Sequence, residues 1–288
     1  MTALFEVSYQ GAPYVGLRVP EETDEDTTLT LHPATGLDLR AELLRADGDK
    51  AALTAALTDG RPAITAEASA VTFRPPLLPP TPGDALVGGF MATHNVKADS
   101  DAPAQPTWFF KGLGDVLKVS GEPLRAPSGA VALTEEAEVV LVYVGDTDGV
   151  PQYVGYTFGN DLTDIGLFRR HRGYLPYAKL CDAGIAPWLF LGTPPVHVSG
   201  RVTVERDGGT AWQGTFLTGT KALHYGLPDM TSTLLSYASL WHPGRVHYVY
   251  LGADRASFHH GFTMADRDRI TMEFTTHGVR LSHPVHQV

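Results

Sequence analysis

The chain of 288 residues is 43% hydrophobic and 19% charged, enough apolar material for one large domain or two modest ones. Its net charge of −10, with no basic block, argues against nucleic acid or an anionic membrane surface as a partner. The single cysteine, Cys181, excludes an intrachain disulfide and a cysteine-based zinc finger.

The N-terminus, MTALFEVSYQG, lacks the basic and long apolar regions of a signal peptide. No run approaches the ~20 apolar residues that span a bilayer, so a soluble cytoplasmic protein is expected. Residues 3–8 and 13–19 alternate as a hairpin does, with the turn expected at Gly11-Ala12-Pro13. An acidic loop (21–26) leads to helices expected over 36–46 and 49–58, the second ended by Gly60. PPLLPPTPG (75–83) then places five prolines in nine residues, which stops helices and stiffens linkers. A boundary is expected there, between a small N-terminal domain (1–80) and a larger catalytic domain (84–288).

The second part reads as strands at 84–91, 107–111, 136–144, 152–159, 186–191, 196–206, 210–217, 246–252, 268–276 and 279–283, with one clear helix near 228–240. The polar, proline-containing stretch 93–106 is expected to be a mobile loop over a site, with Asp99 and Asp101 as candidate acids. Trp212 and Phe216 alternate on a strand and read as core. His242, His247, His259 and His260 lack the spacing of a zinc or nickel site.

TEEAEVVLVYVGDTDGVPQYVGYTFGND (134–161) stands out because a very apolar hairpin begins with Glu135, Glu136 and Glu138 and ends with Asp161. Side chains alternate along a strand, so Glu136 and Glu138 share a face. With the turn at Asp146–Gly149, residues whose numbers sum to roughly 296–299 lie opposite one another, which brings Asp161 beside Glu136 or Glu138. Three like charges in a poorly solvated place repel and raise one another's pKa. A hard divalent cation removes that conflict; oxygen-only ligation suits Mg²⁺, Mn²⁺ or Ca²⁺, with Mg²⁺ preferred. A solvated strand end is the competing reading. If the carboxylates only repel, Asp161→Ala should leave the metal-free fold as stable as before.

E-x-E on one strand followed by G-Y-T-x-x-N-D on the next resembles the fumarylacetoacetate hydrolase superfamily, whose members bind a divalent metal through those carboxylates, here Glu136, Glu138 and Asp161. LPYAKLCDAGIAPWLFLG (175–192) resembles the stretch that carries the superfamily's lysine, here Lys179, in its sugar-acid dehydratase form. GGFMATH (88–94), WFFKGLGDVLKVSGEPL (108–124), VERDGGTAWQGTFLTG (204–219) and HPGRVHYVYLGADRASFHHG (242–261) are similar to the L-2-keto-3-deoxyarabonate dehydratase-like branch. The resemblance covers about 84–284 and implies an α+β fold with a mixed β-sheet roll, beside a small N-terminal α/β domain. It also implies a divalent-metal-dependent lyase acting on a small 2-oxo acid, and a homodimer is expected. Lys179 and His94 are the candidates for handling protons, Lys179 if burial lowers its pKa, and Lys111 is a further candidate.

The chain departs from the superfamily's hydrolases where they carry a glutamate three residues after the histidine: Lys97 stands there. An ammonium has no acceptor with which to orient His94, and it should depress the basicity of a nearby imidazole. Ile165 replaces an arginine, Gly252-Ala253 a Gly-Thr pair and Arg245 an aspartate. C–C hydrolysis or decarboxylation of an acylpyruvate-like substrate, and a homologue that keeps the metal but has altered chemistry, are the alternatives.

Overall fold

The structure, a computed structural model, describes residues 1–20, 26–97 and 102–288. Asp99 and Asp101, and most of the acidic loop, lie outside the described residues. The chain opens with β1 (Ala3–Tyr9), β2 (Ala12–Arg18) and β3 (Thr28–Pro33), then α1 (Leu39–Ala46), α2 (Lys50–Thr58), β4 (Ile64–Glu67) and β5 (Thr72–Phe73). The first turn falls at Gln10-Gly11, both with positive φ (50° and 79°), one residue earlier than expected. Pro13 is already in β2, opposite Ser8. Strands β3 and β4 were not expected from the pattern, although TLTLHP alternates in burial once paired. The two helices begin one to three residues later than expected, where Asp38 and Asp49 cap them by accepting hydrogen bonds from Ala41 N and from Ala51 and Ala52 N.

After the proline-rich segment come β6 (Ala85–Met91), β7 (Thr107–Leu113), β8 (Leu117–Lys118), β9 (Leu124–Ala126), β10 (Leu133–Thr134), β11 (Ala137–Gly145), β12 (Pro151–Asp161) and β13 (Thr163–Asp164). Two short helices, α3 (Ile165–Arg170) and α4 (Leu175–Ala178), lead to β14 (Ala183–Ile185), β15 (Trp188–Phe190), β16 (Val198–Arg206) and β17 (Gly209–Thr218). Helix α5 (Leu227–Leu235), β18 (Val246–Tyr250), β19 (Arg269–Phe274) and β20 (Val279–Gln287) complete the chain. A large mixed sheet runs β4-β3-β2-β1-β15-β12-β11-β18-β6-β7, and a second runs β17-β16-β19-β20-β9. The pairing of β1 with β15, Ala3 opposite Phe190, carries the large sheet across the boundary placed between 1–80 and 84–288; the prolines separate the two parts in sequence, not in the sheet.

The central strand β11 explains why its sequence is apolar without a break. Val139, Leu141 and Tyr143 enter a core shared with Phe216, Ile270 and Phe274 of the second sheet. Val140, Val142 and Val144 face the other way, toward Leu39, Leu43, Leu53 and Leu57 of α1 and α2. A strand covered on both faces has no use for polar alternation. Phe216 is buried and Trp212 packs against the same core, as their alternation indicated.

Candidate metal centre

The carboxylates gather where β11 and β12 enter this double-sided core. Register sets them: Ala137 pairs with Asn160 and Glu138 with Gly159, and Asp161 N donates to Glu136 O at 3.0 Å. The paired numbers sum to 297 there, within the expected range, so Glu136 and Glu138 share a face and Asp161 joins them. Their ligand oxygens all lie within 4.8 Å of one another, and all three residues are buried. A glycine opposite Glu138 is required: a Cβ on Gly159 would stand 2.6 Å from both Gly184 O and Tyr250 Cε1, and the Tyr250 hydroxyl donates to Gly184 O at 2.9 Å.

Glu135 is the third carboxylate of the run, and alternation turns it to the opposite side. It takes a hydrogen bond from Ser257 N at 2.8 Å and one from Ser257 Oγ at 2.5 Å. Burial lifts its pKa above the ordinary carboxylate value, and the Ser257 bonds hold the rise in check. Its role is to tie the strand entry to the Ser257–His260 turn.

Three lysines meet two of the three site carboxylates, Glu136 and Asp161. Lys179 Nζ lies 2.5 Å from both Glu136 Oε2 and Asp161 Oδ2, and donates to Thr163 Oγ1 at 2.9 Å. Its ammonium also sits 4.5 Å over the centre of the Phe109 ring. Lys111 Nζ stands 2.6 Å from Asp161 Oδ1 and donates to the carbonyls of Leu162 and Lys179 at 2.8 and 3.1 Å. Lys97 Nζ reaches Glu136 Oε1 at 3.3 Å. Glu138 has a different environment. Its Oε2 accepts from Gly252 N at 2.5 Å, and its Oε1 is buried with no hydrogen-bond partner among the described residues.

The electrostatics divide accordingly. Burial, then the charges of Asp161 and Glu136, push the Glu138 carboxyl well above the usual range. Burial acts on Glu136 in the same direction, but Lys179 and Lys97 overcome it and bring the carboxyl down to about 2. Burial opposes the charge of Lys179, yet Asp161 and Glu136 more than compensate and hold its ammonium above the ordinary lysine value. The lowered pKa that would let Lys179 pass a proton near neutrality is therefore not met in this arrangement. The expectation that Asp161→Ala would leave the metal-free fold undisturbed is likewise revised, because Asp161 is the counter-ion of two buried lysines.

His94 is buried three residues beyond β6, paired with Leu223 through an isolated bridge. Its Nε2 lies 3.0 Å from Thr218 Oγ1 on β17, and its Nδ1 has no hydrogen-bond partner among the described residues. Burial first, and the Lys97 charge second, lower its pKa to about 4, in the direction the sequence implied for Lys97. Sequence reasoning did not find Thr218, which orients the imidazole in place of the residue at 97. No local pattern marks it, since 124 residues separate it from His94. Gly252, noted in the sequence only as part of the pair standing for Gly-Thr, turns at φ +95° to aim its N–H at Glu138; a Cβ there would come within 2.0 Å of Thr93 Oγ1.

Hard oxygen donors, one of them buried and unsatisfied, fit a divalent cation such as Mg²⁺, Mn²⁺ or Ca²⁺.

No family model matches the sequence, and no curated protein does. Solved structures do match over the whole length. A 2-keto-3-deoxy-D-arabinonate dehydratase complexed with magnesium and 2,5-dioxopentanoate superposes with a TM-score of 0.69 at 16% identity, covering 100% of this chain and 99% of that one. A 2-hydroxyhepta-2,4-diene-1,7-dioate isomerase from Mycobacterium marinum gives 0.64 at 15% identity, covering 100% and 99%. A 5-carboxymethyl-2-hydroxymuconate delta-isomerase from Mycobacterium smegmatis gives 0.63 at 17%, covering 99% and 100%. The chain has the α+β fold of the fumarylacetoacetate hydrolase superfamily.

Proposed function

We propose that the protein is a divalent-metal-dependent lyase, a dehydratase acting on a small 2-oxo acid of the 2-keto-3-deoxy sugar-acid type. The observation that carries the reading is the convergence of Glu136, Glu138 and Asp161 on one buried point with an unsatisfied Glu138 oxygen. The likeness of the fold to a dehydratase solved with magnesium supports it. Glu136, Glu138 and Asp161 would hold Mg²⁺, or Mn²⁺ or Ca²⁺ in its place. When bound, the cation supplies Lewis acidity to the 2-oxo and carboxylate oxygens of the substrate, which acidifies the proton on the adjacent carbon.

The chain's own groups divide the remaining work. His94, with its pKa near 4, is neutral at pH 7 and offers Nδ1 as the base for that proton while Nε2 stays against Thr218. Lys111 and Lys179 provide fixed positive charge for negative charge that develops on oxygen. Departure of a β-hydroxyl would complete the elimination. Water activation of the hydrolase kind is disfavoured because the lysine at 97 gives His94 no carboxylate partner.

The test is kcat/KM with Mg²⁺ on a 2-keto-3-deoxy sugar acid and on an acylpyruvate, for the wild type and Lys97→Glu. Dehydration by the wild type is expected, with acylpyruvate cleavage absent or very slow and raised selectively by the substitution. Efficient wild-type cleavage of the acylpyruvate without dehydration would replace the lyase with a C–C hydrolase. Metal-stabilised folding without turnover of either compound would indicate a homologue with altered chemistry.

A further inference from the structure

Lys97 belongs to two places at once. Its ammonium caps Glu136 Oε1 at 3.3 Å, and its side chain also lines a cavity of about 230 Å³ beside the carboxylates. Thr107, Phe168, Arg172, Leu175 and Tyr225 form much of the rest of that cavity. The Lys97 backbone is anchored, its N–H donating to His94 O at 2.8 Å, so the side chain can exchange partners while the main chain stays in place. Arg172 contributes a second cation to the wall of the same cavity, at some distance along the chain from the metal ligands.

The charges of the cluster make the two positions of Lys97 unequal. Lys97, Lys111 and Lys179 pair with Glu136 and Asp161, and Glu138 has no lysine within ion-pair distance among the described residues. Lys111 and Lys179 are 0% and 1% exposed and share Asp161, and neither lines the cavity. Lys97, at 13%, is the one of the three with somewhere to go. A divalent cation on the carboxylates competes with it for Glu136 and repels it.

We propose that Lys97 is a tethered cation that competes with the metal for Glu136, and that it is drawn into the Arg172-lined cavity by a second negative group at the far end of the substrate. The inference rests on the proposed binding of a 2-oxo acid at this site and narrows the sugar-acid type to one whose far end carries a second anionic group, such as a terminal carboxylate. Metal and substrate then bind cooperatively, since each favours the displaced position of the lysine. A 2-oxo acid with one carboxylate leaves the relocated ammonium and Arg172 without a partner, and a dianionic one supplies it.

The experiment is titration of Mn²⁺ into the full-length protein, with the free aquo-ion followed by electron paramagnetic resonance. It is run alone, with 2-oxoglutarate and with 2-oxovalerate, which has the same carbon count and lacks the distal charge. In the wild type, 2-oxoglutarate should tighten Mn²⁺ binding more than 2-oxovalerate does, by roughly the 5- to 150-fold usual for coupled sites. Lys97→Met should tighten binding of Mn²⁺ alone and narrow the gap between the two acids. Arg172→Gln should leave binding of Mn²⁺ alone at the wild-type level and narrow the same gap, with a thermal melt to verify that each variant is folded. Unchanged or weaker Mn²⁺ binding by folded Lys97→Met, or a gap that persists in both variants, overturns the role of Lys97 while the 2-oxo acid reading stands. If neither acid alters Mn²⁺ affinity in the wild type, the chelation on which both readings depend is refuted.

Discussion

Replacing Asp161 by asparagine keeps its shape and removes one charge, and two opposing effects follow in the metal-free protein. Repulsion among the carboxylates falls, which stabilises. Lys111 and Lys179 lose a shared counter-ion at 2.6 and 2.5 Å, which destabilises. The second effect should win. Glu138 already holds its proton to higher pH, so much of the repulsion is relieved before the substitution is made. The attraction has no such relief: Lys179 retains Glu136, but Lys111 is left with the Leu162 and Lys179 carbonyls at zero exposure. Removing one partner of a buried ion pair typically costs about 3–5 kcal/mol. For a chain of this size that corresponds to a fall in Tm of roughly 5–8 °C. Glu138→Gln is the control, because among the described residues its carboxylate has no lysine within ion-pair distance and its Oε1 has no partner; its cost should stay below about 1 kcal/mol, as for most substitutions that break no network. The assay is thermal denaturation in EDTA, followed by circular dichroism. If Asp161→Asn melts with the wild type, or if Glu138→Gln is the less stable of the two, the lysine-compensated account of the cluster is wrong.

Metal addition should widen the difference between wild type and Glu138→Gln. Wild-type protein at a Mg²⁺ concentration near a hundred times its Kd should gain about 2.7 kcal/mol, and Glu138→Gln should gain little at the same concentration, as read from urea midpoints with and without EDTA. Thr218→Val should lower kcat roughly tenfold or more and shift the pH profile with KM little changed, because it frees an imidazole whose proton transfer depends on orientation. A proportional loss in KM alone would make Thr218 a packing residue only. Gly252→Ala combines a strained φ with a clash against Thr93 and should cost on the order of 2–5 kcal/mol in a thermal melt. His247, buried with its pKa lowered to about 4, binds a proton less readily folded than unfolded. It therefore favours the folded state above pH 6.5, and this contribution is lost as pH falls toward 4; His247→Gln should flatten the pH dependence of the urea midpoint across that window.

Local pattern was enough for the hairpin that carries the metal ligands. Alternation in a nine-residue strand and a four-residue turn place Glu136, Glu138 and Asp161 together, because register in a tight hairpin is a matter of counting. The same counting explains why Glu135 is turned away. It could not say what Glu135 meets, since Ser257 comes from 122 residues later in the chain. Helices α1 and α2 were legible through their apolar periodicity, but their starts were not, being set by the Asp38 and Asp49 caps. Strands β3, β4 and β14 were not, because segments this short form where a neighbouring strand offers hydrogen bonds, and that neighbour is specified by the tertiary fold. The pairing of β1 with β15, which merges the N-terminal strands into the large sheet, has the same origin. The decisive case is the lysines. Sequence marks Lys97, Lys111 and Lys179 as basic residues spread over 83 positions, with no sign of which face water. Only the packing of β7, the loop after β6 and the segment after α4 around one point makes them the counter-ions of the carboxylates, and a charge's pKa and its energetic role are set by what surrounds it in space.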